Sequence, residues 1–373
     1  MRLKALTFAL ALALPTQAAP APRQAPGTFV SADDLTGNTD VMIAGASVAY
    51  RMRYRTDQYG AAKDALATVY VPAGAGSGPL RVLAYTHGTS GVGRECTVGL
   101  KMGWGGRYDA WLGPFLDAGY AVVVPEYGGL GIDDSHPYLD GEETAKSVLD
   151  AVRAAHAGAA LHPGFVPPLR KEFVVYGGSQ GGHTALWVNA IAGWYAPDLR
   201  VLGSVGAAVP ADVAGSFGLL TPAVPYLPIV AELTAYMGYV LAGLRNAGVD
   251  LAQFTELSDA GRAFAHTAAT ACYQDLVGNT VASGGLVTRP LAGTGLVNAV
   301  RAHTTLPVGP LAAPVFLQKG LLDPVSPLSA INAYESQQVA KGTNIFAKVY
   351  VSGHALPVQT AADALRWSNG LAW

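Results

Sequence analysis

The sequence predicts a doubly wound α/β fold: a mostly parallel sheet, helices on both faces, and a helical cap inserted late in the chain. Three observations carry this. Short continuous apolar runs recur at 81–85, 121–124, 173–176, 201–205, 315–318 and 345–351, and strands without alternation are those covered on both faces. Helix-period segments separate them, as at 141–157, where Ala145, Val148, Leu149, Val152 and Ala155 share one face. Finally, residues 212–312 hold no clear sheet strand although sheet strands stand on either side.

Composition sets the outer bounds. Of 373 residues half are hydrophobic and only 13% charged, the opposite of a disordered chain. The net charge is −2 with no basic block, so the electrostatic footprint of a nucleic-acid binder is missing. No internal repeat of solenoid period is present.

The chain opens with a charged start at Arg2 and Lys4, an apolar run over 5–14, and Thr16-Gln17-Ala18. That pattern predicts a signal peptide over 1–18, cleaved after Ala18, and hence export to the periplasm or the medium. A ten-residue apolar run is too short to span a bilayer. Residues 19–40, rich in Ala, Pro and polar residues, read as a loosely packed leader. Residues 19–211 then form the first part of the α/β core.

Residues 47–55 alternate, with Val48, Tyr50, Met52 and Tyr54 on one side, and predict a half-exposed strand. Residues 64–71 predict a second one, closed by Pro72 and a glycine-rich turn, and the two read as an antiparallel hairpin. The parallel strands follow. In the cap, 229–244 carries Glu232 as its single charge and predicts either a buried helix or one whose apolar face lines an entrance for a lipophilic substrate. Residues 313–373 complete the core.

The strongest local signal is Gly177-Gly178-Ser179-Gln180-Gly181-Gly182, directly after the apolar run 173–176 and before a helical stretch. G-x-S-x-G between a strand and a helix is the context of a nucleophile elbow, which lifts the serine hydroxyl clear of the sheet. A serine nucleophile needs a base, and the base an orienting acid; in this fold the chain order is Ser, acid, His. Four histidines follow Ser179. His183 sits one turn on in the elbow helix, and His266 and His303 fall in the cap. His354 lies in the loop after the last strand run and is the expected base. Asp323, at the end of the run 315–318, is the expected acid; Asp212, after the run 201–205, is its rival, with helix capping as its other role.

Two N–H donors are expected to hold the oxyanion: Gln180, and Gly88 or Thr89 in the Thr86-His87-Gly88-Thr89 loop. His87 reads as a structural residue of that loop. Asp133-Asp134 near His136 reads as a solvated loop, since nothing has the spacing of a cation site. No phosphate loop, dinucleotide fingerprint or HExxH motif is present, so neither metal nor cofactor is expected. The two cysteines, Cys96 and Cys272, would meet an oxidising compartment after export, which permits one disulfide.

Several separated segments together resemble the secretory lipases, exported α/β-hydrolases of fungi and bacteria. They are His87-Gly88-Thr89 with Cys96 behind it, Glu126-Tyr127-Gly128-Gly129-Leu130-Gly131, His136-Pro137-Tyr138-Leu139, 147–153, and Gly178-Ser179-Gln180-Gly181-Gly182-His183 with Trp187. The resemblance spans roughly 45–370 and implies the α/β-hydrolase fold, a helical cap, a Ser179-Asp323-His354 triad and a Cys96–Cys272 bridge. Gly177 stands where such elbows often carry a histidine. The expected activity is hydrolysis of lipophilic carboxylic esters such as acylglycerols. A short-chain or aromatic carboxylesterase, a serine peptidase and a non-catalytic binding protein are the other readings.

Overall fold

The computed structural model describes residues 24–76, 78–162, 164–223, 228–279 and 285–373. The signal-peptide expectation for 1–18 lies outside them. Nine strands form one sheet: β1 (Phe29–Asp34), β2 (Ala46–Gln58), β3 (Ala61–Pro72), β4 (Leu80–Thr86), β5 (Tyr120–Pro125), β6 (Leu169–Gly178), β7 (Arg200–Ala207), β8 (Val315–Gly320) and β9 (Ile345–Tyr350). Their order is β1-β2-β3-β5-β4-β6-β7-β8-β9. The first three and β5 pair antiparallel; from β5 onward every pairing is parallel.

Each parallel connection carries a helix. α1 (Arg107–Asp117) and α10 (Gln359–Asn369) pack together on one face of the sheet. α2 (Gly141–Leu161), α3 (Gln180–Tyr195) and α9 (Leu328–Ala340) cover the other. The apolar residues expected for α2 are all buried, and Asp140 caps it by accepting from the Glu143 N–H. β5 is buried along its whole length, as a strand covered on both faces should be.

Two expectations need correction. Residues 19–40 are not simply a loose leader, because 29–34 form β1, paired with the outer edge of the hairpin. Its inward residues are only Phe29 and Ala32, which pack on the core below Phe165. The last strand run is not covered on both faces either. β9 closes the sheet as an edge strand, and Phe346 and Val349 are exposed there.

Between β7 and β8 the chain forms α4 (Val213–Gly218), α5 (Pro228–Asn246), α6 (Asp259–Ala268), α7 (Tyr273–Asn279) and α8 (Gly295–Thr304). These helices share an apolar cluster of their own, joined from the core by Val92, Tyr138 and Leu139. α5 is buried on one side and faces a cavity on the other. Ala235, Tyr239, Leu241 and Ala242 are buried in that cluster, while Leu233, Tyr236, Met237 and Val240 line a cavity.

The chain passes from β4 to β5 on one side, then returns to place β6 on the other side of β4. The loops leaving β4 and β6 therefore diverge in opposite directions at their carboxyl ends, where Thr86 is paired with Gly177. Such a switch point opens a crevice in doubly wound sheets.

Candidate active site

The elbow is built at this switch point. β6 ends at Gly178, α3 begins at Gln180, and Ser179 between them has φ 56° and ψ −122°. A non-glycine residue in that region is strained by about 1–3 kcal/mol, and its surroundings must over-determine it. They do so by leaving no room. A Cβ on Gly177 would stand 2.4 Å from the Gly181 carbonyl carbon, and one on Gly181 would stand 1.9 Å from the Thr86 oxygen. A histidine therefore cannot occupy position 177. The open place is Gly178, where a Cβ would meet nothing nearer than the Ala207 oxygen at 3.9 Å.

The Ser179 hydroxyl lies 2.9 Å from His354 Nε2. His354 Nδ1 lies 2.9 and 3.1 Å from the two carboxylate oxygens of Asp323. An ionised carboxylate only accepts, so Nδ1 carries the proton and Nε2 is free to accept from the serine. The Asp323 carboxylate is buried and is held by the N–H groups of Val325 and Ser326 at 2.9 and 2.8 Å. Asp212 is elsewhere: it caps α4, accepting from the Gly215 N–H at 2.8 Å.

The loop after β4 closes over the elbow. Gly88 faces it so closely that a Cβ there would be 3.4 Å from the Gly178 oxygen and 3.9 Å from Ser179 Cβ. Both peptide planes of this loop are fixed by their carbonyls. The Tyr127 hydroxyl donates to the His87 oxygen at 2.7 Å, and His87 Nδ1 donates to the Gly88 oxygen at 2.8 Å. Because each peptide is planar, those bonds also set the directions of the Gly88 and Thr89 N–H groups. His87 is fully buried, and burial holds its imidazole below the ordinary value. Behind it Glu126 pairs with Arg51 in the interior and accepts from the N–H groups of Val98 and Gly99. Burial opposes ionisation of Glu126, but Arg51 and these donors outweigh it and hold the carboxyl below its usual range.

Ser179 and Gln180 form the floor of a cavity of about 250 Å³. Its walls come from α4 (Val213, Phe217), α5 (Leu233, Met237, Val240) and the acid loop (Pro324, Val325). They are almost wholly apolar.

The secretory lipase family matches residues 107–370. That is most of the chain, and it includes the elbow, the insertion and the loops of Asp323 and His354. The chain belongs to the secretory lipase family. It is accordingly a carboxylic ester hydrolase of the lipase and esterase kind. Lipase A of Moesziomyces aphidis is 24% identical over 351 residues, covering 86% of this chain and 71% of that one. A probable inactive lipase of Mycobacterium tuberculosis is 26% identical over 254 residues, 62% of this chain and 54% of that one. Among solved structures, the rice cell wall degrading esterase LipA from Xanthomonas oryzae superposes with a TM-score of 0.74 at 18% identity, over 93% of this chain and 99% of that one. This likeness shows the α/β-hydrolase fold.

In this secretory lipase the other histidines after the elbow serve structural contacts. Buried His183 donates from Nε2 to the Thr304 oxygen at 2.9 Å, and burial pushes its imidazole down to about 4. His303 donates to the Tyr138 oxygen, and His266 meets Arg245 on the surface. Cys96 and Cys272 are bonded to each other with Cα atoms 5.2 Å apart. The bond, with a β-bridge from Gly91 to Cys272 and a hydrogen bond from the Tyr273 N–H to the Ser90 oxygen, ties the insertion to the loop after β4.

His136 departs from its expected place in a solvated loop. Asp133 and Asp134 do engage Lys63, Ser135 and the Arg94 N–H, but the His136 ring is buried beside Gln180. The signal was present in His136-Pro137-Tyr138-Leu139, which the resemblance included without a role.

Proposed function

We propose that the chain hydrolyses lipophilic carboxylic esters with Ser179 as nucleophile, His354 as general base and then general acid, and Asp323 as its orienting carboxylate. Ser179 Oγ attacks the ester carbonyl while Nε2 of His354 takes its proton. The imidazolium is stabilised by Asp323 and returns the proton to the departing alcohol. Water then hydrolyses the acyl-enzyme by the same route in reverse. The Gln180 N–H, first of its helix and so without an acceptor inside it, and the N–H of Gly88 or Thr89 hold the oxyanion.

One observation carries the reading: the continuous chain of bonds from Asp323 through His354 to Ser179, ending at the floor of an apolar cavity. The acyl chain occupies that cavity, and α4 and α5 act as the cap over it. Acylglycerols fit such walls. The cavity volume favours a second reading within the class, a short- to medium-chain esterase. About 250 Å³ is below the roughly 300–1,000 Å³ of ligand pockets in general. Export through a signal peptide at 1–18 completes the proposal.

The test is hydrolysis of p-nitrophenyl esters from C2 to C16 by the wild type and Ser179→Ala. A loss of roughly a million-fold in kcat is expected for the variant. Cleavage of acyl chains of eight carbons or fewer in preference to C16 would favour the esterase, and the reverse the acylglycerol lipase. A variant that keeps its rate overturns the mechanism.

A further inference from the structure

The oxyanion donors belong to two separate pieces of chain, the elbow and the loop after β4, and one short segment touches both. It lies between β5 and α2. The His136 ring stacks on Tyr127, with centroids 5.4 Å apart and planes 16° apart. Its Nδ1 is 3.2 Å from the Gly128 carbonyl oxygen. A carbonyl only accepts, so Nδ1 carries the proton. Burial, reinforced by neighbouring His87, holds the ring down at about 3, which keeps it neutral and leaves Nε2 an acceptor. The Gln180 side-chain amide donates to that nitrogen at 2.8 Å. Two residues on, the Tyr138 hydroxyl is 2.7 Å from Thr89 Oγ1, and Tyr138 lines the cavity together with Ser179 and Gln180.

We propose that residues 136–138 are the clamp of the oxyanion hole, with His136 positioning Gln180 and Tyr138 positioning Thr89. The inference rests on the assignment of Ser179 as nucleophile with donors from Gln180 and the 88–89 loop. Its physical basis is the short range of the stabilisation: donors must stand about 2.7–3.1 Å from the developing oxyanion. Thr86, paired with Gly177 and donating from its hydroxyl to the Gly181 oxygen, joins the two loops at their roots, and their tips hold that spacing only if something fixes one against the other. A side-chain anchor on each, both rooted in the same three residues, does so.

The clamp is itself held by the helical insertion. His303, on α8, donates to the Tyr138 oxygen at 2.9 Å, and Asn246, at the end of α5, donates to the His136 oxygen at 3.0 Å. Displacement of these helices would move the donors without touching Ser179.

The test compares Tyr138→Phe, His136→Leu and His136→Gln with the wild type. Its readouts are kcat and KM on p-nitrophenyl butyrate, the melting temperature, and the affinity of a trifluoromethyl ketone, whose serine adduct places an oxyanion in the hole. Tyr138→Phe and His136→Leu are expected to lower kcat about 10- to 100-fold, less than the roughly 10²–10³ for losing a donor outright. KM should stay within about twofold, and ketone affinity should fall in parallel with kcat/KM. His136→Gln, which keeps an acceptor for Gln180, should recover part of the loss. Should His136→Leu fail to fold, Tyr138→Phe, which removes a single oxygen, carries the test. Unchanged kcat in folded Tyr138→Phe overturns the clamp, as does a loss confined to KM or melting temperature. Either result alongside an inactive Ser179→Ala leaves the nucleophile standing; an active Ser179→Ala removes the assignment on which the clamp rests.

Discussion

Asp323 presents both carboxylate oxygens to the Nδ1–H of His354, at 2.9 and 3.1 Å, while one of those oxygens also accepts two backbone N–H groups of its own loop. The carboxylate is thus oriented from behind before it orients the imidazole. Asp212, the competing acid in the sequence, spends its carboxylate on the first turn of α4.

These two aspartates should separate cleanly on substitution. Asp323→Asn is expected to lower kcat by roughly 10⁴-fold, because an amide in that place favours the wrong imidazole tautomer. Asp212→Asn should leave kcat within about twofold and cost at most about 1 kcal/mol of stability, since Asn also caps helices. Ester turnover and thermal melting of both variants check this; equal kcat losses would reassign the acid.

The elbow glycines are predicted to differ sharply although they are neighbours. Gly178→Ala meets open space and should fold with a melting temperature close to the wild type. Gly177→Ala and Gly181→Ala would drive a Cβ into backbone atoms at 2.4 Å or less, so part of the elbow must move. Destabilisation of about 1–3 kcal/mol or more is expected for each. Chemical denaturation of the three variants decides it.

Cys96→Ser/Cys272→Ser should lower stability by up to about 5 kcal/mol on the loop-entropy model, measured values often being smaller. The closed loop spans 176 residues, and its loss also frees the insertion from the loop after β4. A reductant should bring the wild-type melting temperature down towards that of the double variant. A wild type indifferent to reductant would mean that the bond contributes little.

Stability should fall on mild acidification. An unfolded histidine takes up its proton near pH 6.5, whereas His183 stays neutral down to about 4 and His136 down to about 3. Above about pH 6.5 both states are neutral and neither residue adds any pH dependence. Between about 6.5 and 4 the unfolded chain binds protons at both positions that the native state does not, and His87, His156 and His303, also held low by burial, act in the same direction, so stability drops as pH drops. Asp150 acts with the opposite sign: burial raises its carboxyl to about 6 against an ordinary 3.8, so the native state binds one extra proton in that window. The histidines held low by burial outnumber the raised carboxyls of Asp150 and Glu143, so the net effect of acidification is a loss of stability. Melting temperatures at half-unit steps from pH 7 to 4 should decline, more shallowly in His183→Gln. A rise on acidification would show that Asp150 outweighs the histidines.

Much of this was legible because it is local. The elbow pattern is written in five consecutive residues between a strand and a helix, although the crowding that keeps position 181 a glycine comes from Thr86 at the end of β4. The buried strands were read from continuous apolar runs, since a covered strand must be apolar on both sides. β1 was not legible: only Phe29 and Ala32 point inward, and the rest of its definition is pairing with a strand some twenty residues later. The edge position of β9 was hidden for the opposite reason, because Phe346 and Val349 look buried by type and are exposed by topology.

By itself the sequence determined the fold class, the elbow serine and the histidine after the last strand, each encoded by residues close together in the chain. Only the tertiary structure decided which aspartate meets His354, and that His136 and Tyr138 reach Gln180 and Thr89 from 44 and 49 residues away. Such meetings depend on the order of strands around the β4–β6 switch and on the packing of the insertion above it. Hydrogen bonds act over about 3 Å, and no local pattern specifies which distant loops the sheet will bring within that distance.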